Sequence, residues 1–552
     1  MKEAGATKPG AGVPVAALLL AVLLAVPSLF ARGLMPPDET RYADVALAMQ
    51  ESGDWLVPRL HQKWYFEKPP VFFWAIAGMN ELGVPVAMAP RLVSILAALG
   101  IVGLLPALAR GFGSAAGSAR RAAFVLVTLP LFAIYAQLGF IDVLLAFEVA
   151  LAAACKLARG RLPPERRAAR VAWSIGEGAV VALAILTKGP VVLVFVAALR
   201  LGAALSRSAG GRAPGAFDRL DLVVLAVSLA GAAGWLAAAA GRAGGDYAWQ
   251  ITLGQLQRRI AGTERKHHVV PGFLVAVVAA GGLPWTLLAL WSAAPWRWRD
   301  AMRPPARLAG VLAWGVVPVV AIAFIPTQQP HYALPALPAL ALLAGEALAF
   351  PVRRGAARAA AAFGIVTAAG LLAAAAFLGP LLHRAAIDAA VAQRMEHDQV
   401  LRAAIVIAGL GALVAVAWRR PGSAVNVPLR AIAGLVAFFL ALPLASWRID
   451  DVMTARTLVE SPALVRAQRI VAPTGIRSSI RLRTRLPLIE EYDGRDLEML
   501  VRDDPKLVAV EWRDDLARSG LLDRLIVVAR GFLRGRELVA VRAPLRDAER
   551  DR

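Results

Sequence analysis

The stretch DETRYADVALAMQESGDWLVPRLHQKWYFEKPP, residues 38–70, closely follows the apolar run VPVAALLLAVLLAVPSLFA at 13–31. It sets Asp38, Glu39, Arg41, Tyr42, Glu67 and Lys68 beside a segment hydrophobic enough to enter a bilayer. Charged side chains in that setting are costly unless they find partners, so acids and bases crowded against a membrane mark a candidate functional site.

The rest of the chain repeats the theme. Hydrophobic residues make up 58% of the 552 residues and charged residues 18%, with a mean hydropathy of +0.59. Soluble domains run at about 45–50% apolar, so this excess, concentrated in blocks, predicts a polytopic α-helical membrane protein. The alternating ten-residue segments of a β-barrel are absent. Apolar segments long enough to cross a bilayer are read at 13–31, 88–108, 120–136, 140–158, 171–187, 190–206, 219–241, 271–292, 308–325, 332–350, 357–381, 401–418 and 427–447. That is about thirteen spans, each expected to cross roughly 30 Å of hydrocarbon. Lys2 and Lys8 precede the first span, and its exit SLFARGLMPP has no small-x-small cleavage site, so a retained anchor is expected rather than a removed signal peptide. Cys155, the single cysteine, forms no internal disulfide and suits a small buried position in a hydrophobic run.

A net charge of +22 suggests nucleic acid until the charges are located. They cluster in short loops between apolar segments, the pattern membrane topology produces, and a nucleic-acid partner is rejected. With the N-terminus placed in the cytoplasm, alternate threading puts Arg110, Arg120, Arg121, Lys156, Arg159, Arg200, Arg297, Arg353 and Arg419 in inside loops, with few acids to offset them. The same threading gathers 38–70, 137–142, 187–189, 242–271 and 327–331 on the outer side. The polar residues of chemical interest therefore face one compartment.

After Trp447 the composition turns charged and mixed. Residues 448–552 read as a small soluble α/β domain on the outer, periplasmic side. Short strands are expected at Ile480–Leu486, Leu507–Trp512, Arg524–Val528 and Glu537–Val541, with a helix near Asp493–Val501. Residues 1–447 are the transmembrane domain, with an outer loop at 32–87. In that loop, Thr40–Met49 predicts a short amphipathic helix, and Trp55, Trp64, Tyr65, Phe66, Phe72, Phe73 and Trp74 suggest an interfacial aromatic belt.

Several strings occur together: DETRYA at Asp38, YFEKPP at Tyr65, GFIDVLLAF around Asp142, LTKGP at Leu186, RIAG at Arg259, His268 to Pro271 ahead of LPW at Leu283, and HYALPALPAL at His331. As a set, and in this order, they resemble the aminoarabinose transferase branch of the dolichyl-phosphate-mannose protein mannosyltransferase-like family. The resemblance covers about the first 350 residues. It implies the C-type membrane glycosyltransferase fold and transfer of a sugar from a polyprenyl (undecaprenyl) phosphate carrier in the bacterial inner membrane. The implied sugar is 4-amino-4-deoxy-L-arabinose and the implied acceptor the phosphate of lipid A. Hexose or hexosamine transfer and protein O-glycosylation are alternatives within the fold, and a lipid-linked transporter or polymerase is an alternative of another class.

Such a reaction builds negative charge on the departing phosphate and positive charge on the sugar, so it needs fixed cations at the first and carboxylates at the second or at the nucleophile. The cations on the correct face are Arg41, Lys68, Lys188 and Arg259. Lys188 sits at a helix junction where a merely solvated lysine has little reason to be. By its place in DETRYA, Asp38 is the expected catalytic carboxylate. A hydroxyl acceptor would use it as a general base, whereas a phosphate acceptor needs orientation more than deprotonation. Asp38 also suits the N-terminus of the helix that starts beside it. Asp142, alone in an apolar run, is the second expected acid. By resemblance Glu67, His268, Tyr42, Tyr65 and Tyr332 also belong to the site, with His267 as the alternative to His268. No cofactor is required, but Glu67, His268 and Asp38 offer donors that suit a divalent metal. Near Tyr332 this chain carries Thr327, Gln329 and His331 where the family pattern has a Ser and a Lys.

Overall fold

The computed structural model describes residues 14–114, 117–205, 218–260, 271–293, 306–325, 328–348, 450, 453–484, 497–504, 506–534 and 536–544, and scattered positions between 365 and 410. The expected spans at 357–381, 401–418 and 427–447 therefore lie largely or wholly outside the described residues. Elsewhere the apolar segments are helical, with Ala89–Gly111, Ile141–Arg161, Arg167–Lys188, Val192–Leu205, Asp221–Ala243 and Ala306–Ile322 close to the expected bounds. Among the described residues, Ala89–Gly111, Arg167–Lys188 and Asp221–Ala243 are each long and apolar enough to cross a membrane.

Other segments are broken rather than straight. The run at 120–136 divides into Ser118–Thr128 and Pro130–Ala136, bent by 67°. The run at 271–292 divides into Phe273–Gly281 and Trp285–Ala293 around Pro284, and 332–350 opens with a 3-10 turn, Pro330–Ala336, before the helix Leu337–Ala347. Proline explains these breaks, because it lacks the amide that continues the helical ladder and its ring crowds the carbonyl four residues back. Close helix contacts depend on small residues, as expected where apolar helices pack without a hydrophobic driving force. A Cβ at Gly345 would come within 2.8 Å of the Ala122 backbone nitrogen, which fixes how closely Leu337–Ala347 lies on Ser118–Thr128.

Part of the charge expected in inside loops is not solvated, and acids do offset it. Lys156 and Arg159 are buried and both pair with Asp221, Arg200 bridges Glu177 and Asp221, and Arg170 pairs with Asp218. The acids escaped a loop count because Glu177 lies within a span and Asp221 opens the next helix.

The loop at 32–87 folds as a unit on the helix Asp38–Ser52. Acidic residues in its first turn complement the helix dipole, and Gly53, at φ +66°, supplies the left-handed residue that ends it. Its apolar stripe, Tyr42, Val45, Ala46 and Met49, packs against Phe72, Phe73 and Ile76 of the helix Val71–Glu81. Phe72 and Phe73 are fully buried and Tyr65 nearly so, which corrects their reading as a membrane-facing belt: they form the loop's own core. Trp55 stays exposed. A short hairpin, β1 (Arg59–Leu60) with β2 (Lys63–Trp64), leads into the YFEKPP segment.

Glu39 ties this loop to the helices. Fully buried, it accepts from Arg32 Nη1 at 2.7 Å and Nη2 at 3.0 Å, from the Met35 amide at 2.7 Å and from the Gly139 amide at 2.7 Å, with Arg91 Nε 3.8 Å away. Arg91 in turn donates to the carbonyls of Ser28 and Arg32. One carboxylate thus joins the end of the first apolar segment, the loop helix and the turn before Ile141–Arg161.

The C-terminal residues form a four-stranded sheet in the order β3-β4-β6-β5, with β3 (Arg469–Val471), β4 (Leu507–Trp512), β5 (Ile526–Leu533) and β6 (Arg536–Arg542). β3 runs parallel to β4, and the other pairs are antiparallel. Alternate residues of β4 serve opposite faces: Val508 and Val510 pack with Ile476, Ile480 and Leu458, and Leu507 and Ala509 with Leu497, Val501 and Leu516. The strand expected at Ile480–Leu486 is instead part of the helix Thr474–Thr484. Ile476 and Ile480, four apart, face the sheet, and Arg477 and Arg481, also four apart, are buried on another side. The alternation in IRLRT satisfies both periods over so short a run, and the tertiary contacts select the helix.

Burial alone would raise the Glu39 pKa, but Arg32 and Arg91, the Arg32 hydrogen bonds and the Gly139 amide reverse this and hold it at about 2. The folded value lies below the ordinary 4.5, so the stabilisation is complete above about pH 4.5 and is lost as the pH falls through about 2. Glu39→Gln is expected to cost on the order of 3 kcal/mol at pH 7. Thermal unfolding of the detergent-solubilised protein should show this deficit narrowing as the medium is acidified below pH 4.5.

Candidate active site

Asp38 and Arg41 stand one turn apart at the start of the loop helix and pair at 2.5 Å. Pro37 holds the N-cap position and Asp38 the first helical position, from which its carboxylate pairs with Arg41 and complements the helix dipole. The second arm of Arg41 reaches Glu67 Oε2 at 3.0 Å, and the Tyr65 hydroxyl donates to that same oxygen at 3.3 Å. Lys68 Nζ donates to the Glu67 carbonyl at 3.0 Å. DETRYA and YFEKPP, separated in sequence by the rest of the helix and a hairpin, thus form one charged network. Burial works against the Arg41 cation, but Tyr65, Glu67, Tyr42 and Asp38 outweigh it and raise its pKa, so Arg41 is a permanent positive charge. Tyr42 and Tyr65 are 4% exposed and pack edge-on to Phe72 and Phe73, so they support the network from beneath.

Gln255, on the short helix Gln255–Ile260, donates to the carbonyls of Phe66 (3.1 Å) and Glu67, which brings the helix bearing Arg259 against the same segment. His267 and His268 lie outside the described residues. Among the described residues no group of three His, Cys, Asp or Glu side chains is placed to share a metal ion. A metal on Glu67 would have to compete with Arg41 and Tyr65.

A second cluster forms where two helix ends meet. Asp142 occupies the first turn of Ile141–Arg161 and Lys188 the last turn of Arg167–Lys188, which Gly189 ends at φ +84°. Each charge complements the dipole of its own helix, and the two side chains pair directly. Lys188 Nζ also lies 4.0 Å from the centroid of the Tyr332 ring. Asp142 is fully buried, and its Oδ2, which has no hydrogen-bond partner among the described residues, is 3.6 Å from His331 Nε2. His331 is packed by Tyr135, Phe140 and Tyr332. Burial outweighs the neighbouring Asp142 and lowers its pKa to about 4, so the imidazole is neutral at neutral pH. Asp38 and Lys68 also act electrostatically on it, as Asp142 and Lys188 do, so the two clusters lie within electrostatic reach of each other.

The structure therefore brings Asp38, Arg41, Tyr42, Tyr65, Glu67 and Lys68 into one cluster and Asp142, Lys188 and Tyr332 into its neighbour. Lys188, read as a phosphate cation, pairs here with Asp142 and lies over the Tyr332 ring, much as Arg41 pairs with Asp38 and Glu67. Sequence reasoning passed over His331 as a contact of Asp142, Glu148 as the buried acceptor of the Thr187 hydroxyl at 2.8 Å, and Arg91. Arg91 carried a readable signal, a lone charge inside the span 88–108.

The family profile for dolichyl-phosphate-mannose-protein mannosyltransferase matches residues 14–205. The chain is 28% identical over 474 residues to an undecaprenyl phosphate-alpha-4-amino-4-deoxy-L-arabinose arabinosyl transferase of Pseudomonas paraeruginosa, covering 84% of this chain and 82% of the relative. It is 30% identical over 380 residues to the enzyme of that name from Pseudomonas savastanoi pv. phaseolicola, covering 65% and 66%. The crystal structure of ArnT from Cupriavidus metallidurans bound to undecaprenyl phosphate superposes with a TM-score of 0.73 at 24% identity, covering 96% of this chain and 97% of that one, so the fold is shared along nearly the whole length. Profile, relatives and fold agree with the resemblance in the motifs, and the chain is an ArnT-like glycosyltransferase of the protein-mannosyltransferase family.

Proposed function

We propose that this protein transfers 4-amino-4-deoxy-L-arabinose from undecaprenyl phosphate to a phosphate of lipid A at the periplasmic face of the inner membrane. The observation that carries the reading is the pair of charged clusters, Asp38, Arg41, Glu67 and Lys68 in one and Asp142, Lys188 and Tyr332 in the other, in a fold shared with ArnT. The names of the relatives supply the sugar and the carrier. We propose about thirteen spans, with the loop 32–87 and residues 448–552 outside the membrane on the periplasmic side.

In the transfer, the bond between the anomeric carbon and the carrier phosphate breaks with its electron pair going to the phosphate, and an acceptor oxygen bonds to that carbon. Arg41 and Lys68 are the cations that meet the growing phosphate charge. An acceptor phosphate is already anionic, so Asp38 orients it and balances charge at the sugar. With a hydroxyl acceptor, Asp38 would take the proton. The buried Asp142, held by Lys188, faces the sugar as a second fixed carboxylate. The Arg259 helix and His268 are assigned to donor binding. Donor and acceptor together balance the reaction, so no redox cofactor or further co-substrate is required.

Within the same reaction class, hexose or hexosamine transfer, or transfer to protein, is the second reading, because Thr327, Gln329 and His331 stand where a Ser and a Lys are expected and change what recognises the sugar or the acceptor. Mass spectrometry of lipid A from cells with and without the protein separates the readings. A pentosamine increment is expected; a hexose increment would move the reading to the second sugar, and an unchanged profile would move the acceptor elsewhere.

Asp38→Asn and Lys68→Ala are expected to abolish transfer in isolated membranes at unchanged expression. Near-normal transfer by both would sink the site assignment. Lys188→Met leaves the Asp142 carboxylate buried without its cation and is expected to cost about 3–5 kcal/mol of stability. Adding Asp142→Asn should recover much of that stability, measured by thermal unfolding in detergent, while transfer stays lost.

A further inference from the structure

The C-terminal residues, chiefly the helix Thr474–Thr484, are joined to the loop by buried polar contacts that the proposed chemistry does not use. Asp44, fully buried on the loop helix, accepts from Ser478 Oγ at 2.7 Å, pairs with Arg481, and lies 3.0 Å from His61 Nε2. Arg481, 6% exposed, also pairs with Glu51. His61 Nε2 is 3.0 Å from Ser478 Oγ. A second tether lies at the loop's start, where the Gly33 amide donates to Asp450 Oδ1 at 2.6 Å.

We propose that Arg481, with Ser478, is a positioning residue for the sugar-transfer site, setting the loop helix Asp38–Ser52 through Asp44 and Glu51. This rests on the reading of Asp38 and Arg41 as site residues. Arg41, Asp44 and Glu51 are spaced by three and seven residues and so fall on one helix stripe. Tyr42, Val45, Ala46 and Met49 take the other side, against the Val71–Glu81 helix. The stripe that carries Arg41 to the site is thus the stripe that Arg481 grips. Asp44 lies about 9 Å along the helix axis from Asp38, close enough for a tilt at one to displace the other.

The grip reaches the other half of the site as well. His61 and Gln62 form the turn of the β1–β2 hairpin at φ +52° and +67°, a conformation that side chains other than glycine rarely hold without support. His61 is supported there by Asp44 and Ser478, and β2 leads directly into Tyr65, Glu67 and Lys68. One buried cluster therefore touches the element bearing Asp38 and Arg41 and the element bearing Glu67 and Lys68. A buried charge that loses its partner is strongly disfavoured, so the two surfaces separate as a whole or not at all, which is what a positioning contact requires.

The test uses the full-length protein in lipid nanodiscs, as wild type, Arg481→Ala and Arg481→Lys, with amide hydrogen exchange and transfer kinetics measured on the same preparations. Arg481→Ala is expected to speed exchange across 38–52 and 59–68 by about tenfold while Ala89–Gly111 is unchanged. The kcat should fall by about tenfold with KM changed by less than about threefold, and lysine should restore most of both. Unchanged exchange at 38–52 would overturn the proposal, as would faster exchange with kcat within about twofold of wild type. Should Arg481→Ala fail to insert, Ser478→Ala removes one hydrogen bond and is expected to give the same pattern at smaller amplitude, with no change at 38–52 again overturning the idea. Absence of transfer by the wild type would refute the functional reading alone, because the exchange pattern still decides whether Arg481 holds the loop.

Discussion

The structure around the site depends on one buried carboxylate. Glu39 is surrounded by Arg32, Arg91 and the amides of Met35 and Gly139, so segments distant in sequence meet at its oxygens. A charge in such a place is tolerated only when every lone pair has a donor and an opposite charge is adjacent, and both conditions hold here. Because Asp38 is the next residue, whatever fixes Glu39 also fixes the first turn of the helix that presents Asp38 and Arg41. Interior ionic contacts of this kind specify geometry more than they add net stability, which is the property a catalytic frame needs.

The same logic divides the remaining charges by role. Asp142 and Lys188 close on each other where one helix begins and another ends, each favoured by its own helix dipole. The pair borders Tyr332 and His331, with Lys188 over the Tyr332 ring and Asp142 beside the imidazole. The network of Arg41, Glu67, Tyr65 and Lys68 is more open: the Glu67 side chain is 53% exposed and that of Asp38 28%. That asymmetry suits a site in which one side holds the sugar and the other adapts to phosphate groups that arrive and leave. Away from the site, Lys156, Arg159, Arg200, Glu177 and Asp221 neutralise one another inside the helical bundle, so part of the chain's large positive charge contributes to packing.

Much of this was legible from residue order. Blocks of apolar residues mark the helices, since a bilayer admits few alternatives, and several helix bounds agree with the sequence reading to within a few residues. The charged strings at 38, 65, 142 and 188 stand out because such residues are rare beside hydrocarbon. Less legible were features set by partners distant in sequence. Phe72 and Phe73 resemble an interfacial belt until Tyr42 and Tyr65 cover them. Residues 480–484 satisfy both strand and helix periodicity, and packing of Ile476 and Ile480 against the sheet decides for the helix.

The sequence by itself determined the class of protein and the run of apolar helices, because composition and periodicity are local properties that solvent and bilayer act on directly, and its motif strings carried the resemblance that implies sugar transfer from a phosphate carrier. Tertiary structure alone decided which charges meet: that Lys188 belongs to Asp142, that Arg41 bridges Asp38 to Glu67, and that Arg481 of the C-terminal module reaches Asp44. An ion pair depends on the distance between two side chains, and for residues hundreds of positions apart that distance exists only once the helices have packed.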